Sequence, residues 1–210
     1  MRLLSNTERL TRLTKTFYTM ASIDELTDEQ LLSQCLNNNR KAQNSLYKKF
    51  SPKLFGTCLR YSKNNTDAED ILQEGFIKIF KYLKDFRNEG YFEGWMRKIM
   101  VTTALNFYKR KSLLNKEVDP DIVNAPSMSV PDVISLLSSE ELLSMIQELP
   151  NGYRMVFNLN TIEGYSHKEI GEIMNISVNT SKSQLSRARN SLQKRINKLF
   201  ELEKNSLLLV

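Results

Sequence analysis

The sequence predicts an all-α protein of two small helical domains joined by a flexible linker. Three observations carry that expectation. Glycine and proline are scarce, with 7 and 5 copies in 210 residues. No stretch alternates apolar and polar residues as a half-buried strand does. Apolar residues instead recur at steps of three and four along most of the chain between about residues 25 and 200.

Composition narrows the function. The formal net charge is +6, which points to an anionic partner without naming it. Residues 28–111 carry 16 basic and 9 acidic side chains, residues 112–138 carry 1 and 4, and residues 139–200 carry 8 and 6. Two basic blocks flanking an acidic connector read as two domains sharing one polyanion. Cys35 and Cys58 sit among apolar residues and read as buried, reduced thiols of a cytoplasmic protein. His167 is the only histidine, so no metal site and no nucleophile–base pair is expected, nor any cofactor. No apolar run approaches spanning length and no secretory signal is evident, so membrane insertion is not expected.

Residues 1–24 have weak periodicity and read as an N-terminal arm. The first domain is placed at residues 25–111. Thr27 caps its first helix, with Gln30 close behind. A second helix follows from Lys41 with Ala42, Leu46, Tyr47 and Phe50 on one side. Ser51-Pro52 should interrupt or kink it before Leu54, Phe55, Cys58, Leu59 and Tyr61 resume the apolar face. Asn64-Asn65 should close the hairpin, and Thr66 should cap the next helix. There Leu72, Phe76, Ile79, Phe80 and Leu83 form a stripe, opposite Asp70, Glu74, Lys78 and Lys81. On pattern alone this is an ordinary surface helix with charge pairs; a polar docking face for a protein partner is the other reading.

After a loop at 85–90 comes YFEGWMRKIMVTTALNFYKRK. Trp95, Ile99 and Leu105, with Thr102, should face inward. Tyr91, Phe92, Arg97, Lys98, Asn106, Phe107, Tyr108 and three further basic residues surround them. Aromatic rings interleaved with cations are what single-stranded nucleic acid requires, since rings stack on bases and cations track phosphates. The plainer reading is that the rings are core and the charges solvated. Residues 112–133 hold three prolines and several acids and read as the linker.

The second domain is placed at 134–203, with a tail at 204–210. Helical periodicity runs from about Ile134 to Leu149, Pro150-Asn151-Gly152 reads as a turn, and Arg154–Ile162 as a short helix. Ser166–Arg189 then reads as two helices around a tight turn. Ser166 and Glu169 form a capping-box pattern, Ile170, Ile173 and Met174 give one apolar face, and Gly171 leaves room for a neighbouring helix. Ser177 caps the second helix, whose buried stripe is Leu185, Ala188, Leu192, Ile196 and Leu199. A helix-turn-helix puts the start of its second helix in the major groove. Here that start offers Asn179, Thr180, Lys182, Ser183 and Gln184 to base edges and phosphates.

The order of these parts resembles bacterial sigma factors of the extracytoplasmic-function (ECF) group, in the sigma-70 superfamily. DAEDILQEGFIKIFKYLKDF at 67–86, FEGWMRKIMVTTALNFYKRK at 92–111 and LPNGYRMVFNLNTIEGYSHKEIGEIMNISVNTSKSQLSRAR at 149–189 carry the likeness. The resemblance implies a non-enzymatic subunit that binds core RNA polymerase and directs it to promoter DNA. Asp67, Glu69, Asp70, Gln73, Glu74 and Lys78 would dock on the β′ clamp helices, and the second domain would rest on the β flap. Tyr91, Phe92, Trp95, Arg97, Lys98, Thr102 and Asn106 would hold the melted strand of the −10 element. Asn179, Thr180, Lys182, Ser183, Gln184, Ser186, Arg187 and Arg189 would meet the −35 duplex. An anti-sigma factor is the other partner implied. Thr102, Ser181, Gln184 and Asn179 depart from residues common in the family at those positions. Two other readings remain at this point: a helix-turn-helix regulator working without polymerase, which leaves 67–111 without a purpose, and a helical adaptor.

Overall fold

A computed structural model describes residues 26–86, 91–115 and 138–207. The arm at 1–24, nearly all of the linker and the last three residues lie outside the described residues. All regular structure among the described residues is helical. The elements are α1 (Asp28–Leu36), α2 (Arg40–Tyr61), α3 (Asn65–Tyr82), a 3-10 turn (Leu83–Asp85) and α4 (Phe92–Asn115). They continue as α5 (Ser139–Gln147), α6 (Asn151–Phe157), a π-helical turn (Asn158–Ile162), α7 (His167–Met174) and α8 (Val178–Leu207).

Local sequence sets most helix starts. Thr27 Oγ1 accepts from the Gln30 amide at 3.3 Å while Gln30 Oε1 accepts from the Thr27 amide at 3.1 Å, the expected capping box. Ser138 and Glu141 make another at the start of α5. Asn64, not Thr66, caps α3, its side chain accepting from the Asp67 amide at 2.8 Å. Helix α6 begins at Asn151, three residues before the expected start, with Pro150 in the capping position. Helix α4 runs to Asn115, four residues into the expected linker, because no proline or glycine stops it there. Helix α2 is continuous through Pro52. The expected interruption does not occur, and Leu46 and Phe50 before the proline and Leu54 and Cys58 after it are buried on one face.

Helices α1–α4 pack as one group, with α2, α3 and α4 in mutual contact. Gly75 of α3 lets Met100 of α4 lie where a Cβ would stand. The buried face of α4 is displaced from the expected one. Met96, Met100, Val101, Thr103, Ala104 and Tyr108 are buried, whereas Trp95, Ile99 and Leu105 only flank the core and Thr102 is exposed. Packing against two helices at once, α4 buries a wider arc than a single stripe.

The second group, α5–α8, lies directly on the first. Met155, Val156, Leu159, Ile170 and Leu185 belong to the same buried cluster as the core of α1–α4. Three successive carbonyls at the C-terminal end of α2 receive side chains from this group. Gln147 Nε2 donates to the Leu59 oxygen at 3.1 Å, Asn158 Nδ2 to the Arg60 oxygen at 2.9 Å and Arg154 Nε to the Tyr61 oxygen at 3.1 Å. A helix C-terminus presents carbonyls without intrahelical partners and a partial negative charge, so a cation is well placed there.

Candidate nucleic-acid interface

The helix-turn-helix is assembled by its own polar residues. Ser166 Oγ accepts from the Glu169 amide at 3.3 Å and Glu169 Oε2 accepts from the Ser166 amide at 2.8 Å. A hydrogen bond donated by the Ser166 hydroxyl to Glu169 Oε2 at 2.7 Å, and after it the one from the Ser166 amide, hold the Glu169 carboxyl below the usual carboxylate range. Asn175 ends α7 in the left-handed region, at φ 58°. Gly171 serves the turn rather than a neighbouring helix, since a Cβ there would stand 2.8 Å from the Ile176 carbonyl oxygen. Ser177 Oγ accepts from the Thr180 amide at 2.9 Å, as a cap should. Ser181 is fully buried, with its hydroxyl 2.9 Å from His167 Nδ1. The sole histidine thus ties the two helices of the motif together.

Leu185, Ala188 and Ile196 bury the inner face of α8. The outer face leaves Asn179, Lys182, Ser183, Ser186 and Arg189 exposed, with Thr180, Gln184 and Arg187 half-buried. Thr180 Oγ1 lies 2.8 Å from Ser177 Oγ, and Arg187 Nη1 donates to the Tyr153 hydroxyl at 3.3 Å. The positions expected to face duplex are therefore brought together on one surface. Thr180 and Gln184 stand at its margin.

The second candidate surface starts at Tyr91, which is 91% exposed. Phe92 is different. It is only 8% exposed, stacked on Trp95 at 5.7 Å between ring centres and edge-on to Phe50 and Phe86. It is a core residue that shapes the end of α4, not the accessible ring the sequence suggested. Trp95 is half-buried, and Lys98, Thr102 and Asn106 follow it at steps of three and four on an open face. Arg97 departs from this face and pairs with Glu163 of the second group, at 2.7 Å from Nη2.

On α3, Glu69, Asp70 and Gln73 are exposed beside Ile77, itself 68% exposed. Asp67 does not join them. It is 6% exposed, accepts from the Tyr108 hydroxyl at 2.9 Å and pairs with Lys111 Nζ at 2.9 Å. A carboxylate buried at the start of a helix with those partners ties α3 to α4. Glu74 is held between Arg110 at 2.6 Å and Lys78 at 2.8 Å. The Arg110 hydrogen bond leads in lowering its pKa to about 2. Lys78 also donates to Thr103 at 3.2 Å, so it too braces α3 on α4.

Sequence reasoning missed Arg154, Asn158, Gln147 and Glu163, which join the two groups. The available signal was a single arginine within the apolar run Tyr153–Val156. Burial pushes the Cys35 thiol up to about 11 and Cys58 up to about 12, and both are free cysteines, as expected. Among the described residues, no group of histidine, cysteine and carboxylate side chains could hold a metal ion, and no helix is long and apolar enough to cross a membrane.

A helix-turn-helix carried on a helical chain with a basic outer face defines a DNA-binding protein. Residues 46–113 match the family described as Sigma-70 region 2, and residues 139–192 match Sigma-70, region 4. The chain is 29% identical over 188 residues to the ECF RNA polymerase sigma-E factor of Escherichia coli (strain K12), covering 84% of this chain and 98% of that protein. Against the same factor of Haemophilus influenzae the identity is also 29%, over 84% of this chain and 99% of that protein. Two solved structures are similar at lower identity. CnrH in complex with the cytosolic domain of CnrY is 21% identical with TM-score 0.43, covering 80% of this chain and 96% of that one. RpoE in complex with the anti-sigma factor NepR from Bartonella quintana is 20% identical with TM-score 0.46, covering 74% and 96%. The chain belongs to the sigma-70 family, in its ECF group, and so directs promoter-specific initiation of transcription.

Proposed function

We propose that the two groups of helices divide promoter recognition between them, with a first domain over 25–111 and a second over 134–203. The start of α8 reads the −35 duplex through Lys182, Ser183, Ser186 and Arg187, with Asn179, Thr180, Gln184 and Arg189 near phosphates and flanking edges. The face Tyr91–Trp95–Lys98–Thr102–Asn106 holds the separated strand of the −10 element. That face spans about 16 Å along α4, enough for several nucleotides. Glu69, Asp70, Gln73 and the exposed Ile77 of α3 dock on the β′ clamp helices of core polymerase, and the second domain rests on the β flap. An anti-sigma factor is part of this reading through family membership. The chain works in the cytoplasm with polymerase and DNA, and forms no covalent bond itself.

The observation that carries the reading is that one chain offers two separate, differently built contact surfaces. One is a helix start with short polar and long cationic side chains, suited to a groove. The other is an exposed ring followed by a polar and cationic stripe, suited to unstacked bases. Each alone touches few bases, so tethering both to polymerase raises the effective concentration of the second contact. Transcription from a mapped promoter with core polymerase tests it. Lys182→Ala should weaken −35 recognition by about 1–3 kcal/mol. Tyr91→Ala should slow promoter opening while polymerase binding stays intact. Duplex binding without any polymerase association would instead favour a regulator acting alone.

A further inference from the structure

Where the two groups of helices meet, two arginines of the first share one carboxylate of the second. Glu163 lies just before the helix-turn-helix and its side chain is 9% exposed. Its Oε2 accepts from Arg97 Nε at 2.9 Å and lies 2.7 Å from Arg97 Nη2. Its Oε1 faces Arg60 Nη2 at 3.7 Å, an ion pair without a hydrogen bond. Arg60 otherwise lies along its own helix, donating at 3.3 Å to the Gly56 carbonyl and at 3.4 Å to Thr57 Oγ1.

The arrangement is incompletely satisfied. Glu163 Oε1, Arg60 Nε and the Tyr61 hydroxyl are buried with no hydrogen-bond partner among the described residues. A buried carboxylate that leaves one oxygen unbonded, between two guanidinium groups of which only one grips it, is not a pair optimised for permanent closure. It occupies the fork of Arg97 and lies beside the guanidinium of Arg60, and guanidinium forks suit any planar or tetrahedral oxyanion. Arg97 also adjoins Trp95 and Lys98, the residues assigned above to strand binding.

We propose that Arg60 and Arg97 form a phosphate-binding site for the nucleic-acid backbone, and that Glu163 fills it from within the chain as a stand-in for the phosphate. The site opens when the second group of helices leaves the first. A backbone phosphate and the Glu163 carboxylate then compete for the same two guanidinium groups, so strand binding and the closed arrangement exclude each other. The inference rests on the assignment of the Tyr91–Asn106 face to strand binding, and it adds Arg60, a residue outside that face, to the contact.

The test uses the full chain without polymerase and two fluorescent 20-nucleotide probes, one single-stranded and one duplex, titrated at several salt concentrations. Glu163→Gln should bind the single strand about 3–10-fold tighter than the unaltered protein, with a salt slope steeper by about 1–1.5 for two added phosphate contacts. Glu163→Ala should move the same way, which guards against a defect peculiar to one variant. Arg60→Ala in the Glu163→Gln background should remove the gain. An unchanged affinity in both Glu163 variants would overturn the proposal. So would an equal gain in Glu140→Gln, which removes a charge on the exposed surface of α5, a gain that survives Arg60→Ala, or a gain seen on duplex alone. Promoter-directed transcription by the unaltered protein with core polymerase is measured in parallel. Its failure would count against the functional reading, whereas its success with inert Glu163 variants would count only against the phosphate site.

Discussion

The guanidinium of Arg154 is the most demanding side chain in the protein. It is fully buried, and its nitrogens donate to the Tyr61, Gln147 and Leu149 carbonyls and to Asn151 Oδ1, at 2.7–3.1 Å. It also lies 5.1 Å from the centre of the Tyr108 ring. Burying a charge is costly unless its hydrogen-bonding capacity is met, and here several donors find acceptors. Arg154→Met should therefore leave buried carbonyls unpaired and lower stability by about 2–4 kcal/mol in urea unfolding. Arg154→Lys should rescue little, since a single ammonium cannot reach the same spread of acceptors. A wild-type urea midpoint in the methionine variant would refute this account. Glu74 gives a pH signature. Its carboxyl titrates near 2 when folded against an ordinary 4.5, so its pairing stabilises fully above pH 4.5 and is lost as pH falls from there towards 2. Arg110 is largely exposed, so solvent screening reduces the contribution to about 1 kcal/mol. Melting temperatures of wild type and Glu74→Gln should differ most at pH 6, less at pH 3 where the pairing is only partly lost, and converge only below about pH 2.

At the scale of elements, the termini were legible and the faces less so. Thr27, Ser166 and Ser177 act where their hydroxyls and following residues said they would, because a cap is a contact between residues two or three apart. The inward stripe of α8 was legible for the same reason: one face packs and the other is wet. The face of α4 was not. It meets both α2 and α3, so methionines, a threonine and a tyrosine are buried alongside smaller residues, and periodicity alone could not choose among them. Gly171 shows how a motif can be seen while its reason is misjudged. Gly171→Ala would push a methyl against the Ile176 backbone oxygen, and we expect a loss of about 1–3 kcal/mol together with weaker duplex binding. Asn175→Gly, which keeps the left-handed turn available, should leave stability within about 1 kcal/mol of wild type. Equal tolerance of alanine at position 171 would mean the turn is looser than described.

For the whole molecule, the decisive feature is that α5–α8 sit on α1–α4 with a shared buried cluster and a polar seam at the end of α2. The polymerase-facing surface proposed on α3 is made of exposed side chains. Its centre is Ile77, a large apolar side chain left in solvent among Asp70, Gln73 and Lys81. Ile77→Glu should change the melting temperature little, because that side chain is 68% exposed. It should weaken association with core polymerase at least about 10-fold, the loss typical of an apolar anchor at an interface centre. Unaltered co-purification with polymerase would remove α3 from the docking surface.

By itself the sequence determined the helical class, most helix starts, the helix-turn-helix and the row of polar and basic residues on the outer face of α8. Each of these follows from contacts between neighbours in the chain or from one repeating step along a helix. Only the tertiary structure decided that Phe92 and Asp67 are interior, that Arg97 turns away from its own face, and that Arg154 and Asn158 reach the carbonyls at the end of α2. Those facts join residues up to 98 positions apart. No local spacing encodes such a meeting; it is fixed when two groups of helices bury one apolar surface between them and the polar side chains caught there pair across it where geometry allows.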